Sequence, residues 1–120
     1  MEIIQLYKCL CDVQRLRILN LLREGPLCVC HLMEILEVDQ VKMSKQLQYM
    51  KKLGLLEVEK VAQWRVYRIA DLGTPLLDQN LSCLQECGPE DLRFAEDLAA
   101  RKRVMKDNVA GVVAGGCGSC

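Results

Sequence analysis

Two runs of alternating character, Leu56-Glu-Val-Glu-Lys-Val61 and Trp64-Arg-Val-Tyr-Arg-Ile69, are separated only by Ala62 and Gln63. Side chains alternate faces along a strand, and a two-residue link is too short for a crossover, so the two runs must close as an antiparallel β-hairpin. On both sides of the hairpin the apolar spacing lengthens to that of helices. Asp12 is placed to cap a helix through Arg23 that carries Leu16, Leu19 and Leu22, and Gly25-Pro26 ends it. A short second helix carries Val29, Leu32, Ile35 and Leu36 and stops at Glu37-Val38. Asp39 then caps a third helix running to Leu53, which Gly54 terminates. Beyond the hairpin, Thr74-Pro75 opens a helix containing Leu76, Leu77, Leu81 and Leu84 that ends near Gly88, and Pro89 opens a last one to about Asn108. The expected fold is mainly α with one β-hairpin, a single domain over residues 1–108 followed by a flexible glycine- and cysteine-rich tail, 109–120.

With 51% hydrophobic and 27% charged residues, the 120-residue chain has the makings of a folded globular protein. No apolar run approaches the roughly 20 residues that span a bilayer, and the first residues lack the charged start and apolar core of a signal peptide. A soluble, cytoplasmic protein with no membrane partner is expected. In a reducing cytosol, eight cysteines in four close pairs (Cys9 and Cys11, Cys28 and Cys30, Cys83 and Cys87, Cys117 and Cys120) suggest metal ligands or redox groups rather than disulfide staples.

Formal net charge is zero, but its distribution is uneven. From Lys42 to Arg68 seven basic residues face only Glu57 and Glu59, a net +5, whereas Asp71 to Asp97 holds seven acids and the single base Arg93. A basic footprint confined to one stretch suits one nucleic-acid-facing surface. In the third helix Met43, Leu47, Met50 and Leu53 form an apolar stripe, so the opposite side presents Val41, Lys45, Gln48 and Lys52. Two short helices, a third with a cationic outer face, then a hairpin, is the order of a winged helix-turn-helix.

Five segments, in this order and spacing, carry a family resemblance: Cys11 to Leu22 (CDVQRLRILNLL), Leu27-Cys-Val-Cys-His-Leu32, Asp39-Gln-Val-Lys-Met-Ser-Lys-Gln-Leu47, Leu53-Gly-Leu55 and Trp64 to Ile69. Over roughly residues 5–85 the chain resembles the ArsR/SmtB metalloregulators, and its Cys-Val-Cys resembles the arsenic-responsive branch. The resemblance implies a homodimeric repressor that binds double-stranded operator DNA and releases it when a metal or metalloid binds. It departs from the pattern at Met33, where that branch often has a third cysteine, and at Ala62, where the wing turn usually has glycine.

Gln40, Val41, Ser44 and Lys45 match the family's DNA-facing positions, Gln48 shares their exposed side, and Lys60, Gln63 and Arg65 lie on the wing. Amides and hydroxyls supply directional hydrogen bonds to base edges while cations supply salt-sensitive attraction to phosphates. For the ion, Cys28 and Cys30 are the candidate ligands. On an ideal helix they point about 200° apart, so one ion holding both thiolates is expected to unwind the first turn and displace the reading helix. The inducer this implies is As(III) or Sb(III), with no organic cofactor; a cadmium, lead or zinc sensor, or a thiol redox regulator, is the alternative. Cys9, Cys11, Cys83, Cys87, Cys117 and Cys120 are candidates for further ligands, Cys83 and Cys87 being one helical turn apart. Cys9 and Cys11 equally read as small buried hydrophobes, and His31, the only histidine, reads as a surface residue. With no phosphate-cradling loop around any cysteine, an enzyme is not expected.

Overall fold

The computed structural model describes residues 2–86 and 92–107. Its elements are α1 (Ile3–Leu10), α2 (Val13–Arg23), β1 (Leu27–Cys28), α3 (Val29–Leu36), α4 (Gln40–Lys52), β2 (Leu56–Val61), β3 (Trp64–Ile69), α5 (Leu76–Glu86) and α6 (Arg93–Asp107). The molecule is a winged helix-turn-helix: α3 and α4 form the helix-turn-helix, and β2 and β3 form the wing.

Local signals set most of these boundaries. The Asp12 carboxylate accepts from the Arg15 backbone N–H at 3.0 Å and opens α2, and Asp39 accepts from that of Lys42 at 2.9 Å and opens α4. Gly25, at φ 140°, turns the chain out of α2 in a conformation that side chains rarely adopt. Glu37 ends α3 in the left-handed region at φ 55°. Two elements escaped those signals. Helix α1 has no Ser, Thr, Asp or Asn at its N-cap, where Glu2 stands. Strand β1 is only two residues long, too short for any alternation to show, yet it pairs antiparallel with β3 through Leu27 opposite Tyr67 and Cys28 opposite Val66. The hairpin is thus the larger part of a three-stranded sheet in the order β1-β3-β2.

The core joins one face of each helix to the sheet: Leu6 and Cys9 of α1, Ile18, Leu19 and Leu22 of α2, Leu32 of α3, Met43, Leu47 and Met50 of α4, and Leu77 and Leu81 of α5. The apolar stripe read for α4 is therefore its buried face, with Leu53 half-buried at the edge. Arg15 fastens that helix from within. It donates to the Cys9 and Lys8 carbonyls at the end of α1 (2.8 and 3.3 Å) and to Gln46 of α4 (3.3 Å), and its guanidinium stacks 4.6 Å from the Tyr49 ring centre. Helix α6 lies against α2 and α3. There Asp97 accepts from Nε and Nη2 of Arg17, each at 2.8 Å, and buried Asn20 donates to the Phe94 carbonyl at 3.3 Å.

The wing turn carries a local strain. Ala62 sits at φ 55°, a left-handed conformation that costs a residue with a Cβ about 1 kcal/mol. Ala62→Gly is therefore expected to raise the free energy of unfolding by roughly 0.5–1 kcal/mol. Urea denaturation at matched protein concentration measures this, and an unchanged midpoint would refute the strain.

Candidate functional site

The sequence-predicted DNA residues gather on one side. Gln40, Val41, Lys45 and Gln48 are exposed along α4, with Ser44 half-buried beside them. A cleft of about 260 Å³ opens between α4 and the wing, lined by Gln40 and Ser44 on one wall, Lys60, Gln63 and Arg65 on the other, and Val29 and Met33 of α3 behind. Further along the same face of the wing, Gln48, Lys51 and Lys52 share a second hollow with Lys60 and Arg65. Lys60 and Arg65 stand directly opposite each other in the ladder. Like charges so placed destabilise a hairpin by themselves, an arrangement that an anion relieves. Arg68, by contrast, is engaged by Glu57 (3.4 Å) and Glu59 (3.1 Å), and these carboxylates raise its pKa. Of the seven bases in the +5 stretch it alone takes part in an ion pair among the described residues.

The thiol geometry differs from the helical expectation. Cys28 is not on the helix but is its N-cap, with φ −79° and ψ 160°, held extended by its pairing with Val66. The extended backbone brings the two sulfurs together. Cys28 Sγ and Cys30 Sγ lie 2.8 Å apart, both buried, so the two sulfurs meet without any unwinding of the first turn. The 200° separation presumed a helical Cys28, and one residue of strand removes it.

His31 is also misplaced by the sequence reading. It is 1% exposed, and its ring nitrogens and the two sulfurs form a group whose ligand atoms lie within 4.8 Å of one another. Neither Nδ1 nor Nε2 has a hydrogen-bond partner. Burial lowers the His31 pKa below its ordinary value, against Glu34, which raises it, so the ring is neutral at pH 7. A sequence signal existed: His31 stands four residues before the core residue Ile35, a spacing that puts both on one side of the helix.

The other candidate thiols do not join this group. Cys9 is fully buried in α1, and burial pushes its thiol pKa up, opposed by Arg15, so it remains protonated core filling. Cys11 is exposed beyond the end of α1. Cys83 is exposed on α5, with its Sγ 3.5 Å from the Gln79 carbonyl. Cys87, Cys117 and Cys120, with the rest of the 109–120 tail, lie outside the described residues. No helix among the described residues is long and apolar enough to cross a membrane.

The family model described as "Bacterial regulatory protein, arsR family" matches residues 12–58, from the cap of α2 into the wing. Among curated relatives, the Arsenic resistance transcriptional regulator ArsR1 of Pseudomonas putida is 35% identical over 96 residues, 75% of this chain and 75% of its own. Among solved structures, the AntR antimony-specific transcriptional repressor superposes with a TM-score of 0.62 at 30% identity, over 74% of this chain and 81% of that one. The homodimeric winged helix-turn-helix domain of Mb0332 from Mycobacterium bovis, described as a possible ArsR-family regulator, superposes with a TM-score of 0.61 at 28% identity, over 75% and 81%. The family match takes in the helix-turn-helix, the cysteine-bearing turn and the start of the wing, and the chain belongs to the arsR family of bacterial regulatory proteins, which are DNA-binding transcriptional regulators and not enzymes.

Proposed function

We propose that the protein is a homodimeric repressor that holds operator DNA in the cleft between α4 and the wing and releases it when trivalent arsenic or antimony binds Cys28 and Cys30. The observation that carries this reading is the pair of buried sulfurs 2.8 Å apart at the junction of β1 and α3. That junction touches both halves of the reading surface. Cys28 is paired with Val66, the neighbour of Arg65 on the wing, and Val29, next along the chain, lines the cleft together with Met33. When bound, the trivalent ion supplies a thiophilic centre that draws two thiolates to itself. Any movement of Cys28 to meet it is carried through the β1–β3 hydrogen bonds to the wing and through α3 to the turn before α4. An ion shifts the DNA equilibrium only by its different affinity for the two arrangements. The names of the relatives support the choice of ion, one regulating arsenic resistance and another antimony-specific.

Gln40, Val41, Ser44 and Gln48 are assigned to base edges, and Lys45, Lys60, Gln63 and Arg65 to the phosphate backbone. On a duplex selected for binding from a randomised pool, affinity is expected to fall steeply with salt, since two copies of the basic stretch release counterions. Gln40→Ala and Ser44→Ala should lose about 1–3 kcal/mol of discrimination against random duplex, whereas Lys60→Ala and Arg65→Ala should weaken both duplexes alike. Fluorescence anisotropy of labelled duplex reads all of this, and arsenite added under reducing conditions should then release the DNA. Salt-independent affinity, a monomer at micromolar concentration, or release by diamide but not by arsenite would overturn the reading, the last in favour of thiol oxidation.

A further inference from the structure

We propose that His31 is the third donor of the ion site, so that it presents two thiolates and one imidazole and accepts divalent zinc-group cations, zinc and cadmium, as well as the trivalent metalloid. This rests on the reading of Cys28 and Cys30 given above and goes beyond it by assigning the remaining ligand and the further class of ion.

A buried polar side chain without a partner is uncommon, because losing water without replacement costs free energy. Both His31 nitrogens are in this condition although the ring is 1% exposed. The unsatisfied ring stands where two sulfurs converge, all ligand atoms within 4.8 Å, and these three residues are the one such three-donor group among the described residues that includes a cysteine. Met33, at the position where the arsenic-responsive branch often has a third cysteine, is a poor alternative. It is half-buried and lines the DNA cleft with Gln40 and Ser44, and a thioether is a weak donor beside an imidazole. Thiolate sulfur is soft and imidazole is borderline, a combination suited to zinc and its group, whose tetrahedral preference leaves a fourth position for water or another donor. In the reduced protein the ion takes both cysteines as thiolates, whose protons pass to solvent, and the neutral imidazole contributes a lone pair without releasing one.

Cobalt(II) makes the donor set visible. The full chain, reduced and kept free of oxygen, should take up one equivalent with a sulfur-to-cobalt charge-transfer band and intense tetrahedral ligand-field bands. His31→Gln is expected to keep the charge-transfer band, weaken and shift the ligand-field bands, and raise the dissociation constant for cobalt and cadmium about 10- to 100-fold, while its affinity for duplex DNA without metal stays that of the parent. Cys28→Ser and Cys30→Ser should reduce the charge-transfer band itself. A His31→Gln spectrum and affinity identical to the parent's would overturn the third donor and leave the cysteine reading standing. An undiminished charge-transfer band in Cys28→Ser and Cys30→Ser would overturn both. X-ray absorption of one equivalent of cadmium in a full chain carrying serine at Cys83, Cys87, Cys117 and Cys120 requires no change at His31: two sulfurs with nitrogen support the assignment, and a sulfur-only shell refutes it.

Discussion

Cys28→Ser and Cys30→Ser are each expected to leave duplex binding within about twofold of the parent and to raise the arsenite concentration for half-release by about a hundredfold or more. The size follows from the coupling. Allosteric coupling free energies run to about 3 kcal/mol, or about 150-fold in affinity, and a variant that cannot hold the ion loses all of it. The selectivity follows from position. Neither sulfur lines the cleft, so serine in its place removes no DNA contact, and serine is close enough to cysteine in size to keep the β1–α3 junction filled. Cys117→Ser and Cys120→Ser are expected to matter less, and so is Cys83→Ser, whose side chain is exposed on α5 away from any three-donor group among the described residues. Anisotropy titrations with arsenite at fixed duplex concentration settle the comparison. A normal response from both Cys28→Ser and Cys30→Ser with a lost response from Cys83, Cys87 or the tail would move the sensing site elsewhere and leave the repressor assignment intact.

Asp97→Ala is expected to destabilise the protein by about 3 kcal/mol, the largest effect foreseen for a residue that touches neither DNA nor ion. Its carboxylate is 5% exposed and takes both 2.8 Å bonds from Arg17, itself only 20% exposed. Removing the carboxylate takes from the Arg17 charge a two-bond, largely buried partner in a site with little water. The Arg23–Asp78 pair has one bond of the same 2.8 Å length, but the Asp78 side chain is 65% exposed. Screening by water should hold the cost of Asp78→Ala to about 1 kcal/mol or less. Urea unfolding of both variants at equal protein concentration makes the comparison. If Asp97→Ala falls within 1 kcal/mol of Asp78→Ala, α6 is not anchored on α2 in the manner described. Because α6 also lies against α3, Asp97→Ala should blunt the ion response as well, whereas Asp78→Ala should not.

The amino-acid sequence by itself determined where α2, α4 and the wing begin and end, where α3 ends, which face of α4 is buried, and where the basic surface lies. Those properties rest on interactions among residues a few positions apart: Asp12 with the Arg15 amide, Asp39 with the Lys42 amide, and the alternation either side of Ala62. Periods and caps report such interactions directly. The composition of the proposed ion site was legible only in part, because Cys28 and Cys30 were visible as a pair but their geometry was not. Tertiary structure decided that Cys28 is extended rather than helical, through a two-residue strand paired with residues almost forty positions away. It decided that His31 is buried beside the sulfurs, on a helix that α6 packs against, and that Asp97, one of seven acids in an acidic stretch, is held by Arg17 eighty residues away. Each of these depends on which distant segment comes to lie against a short one, and a pairing of that range leaves no period in the chain to read.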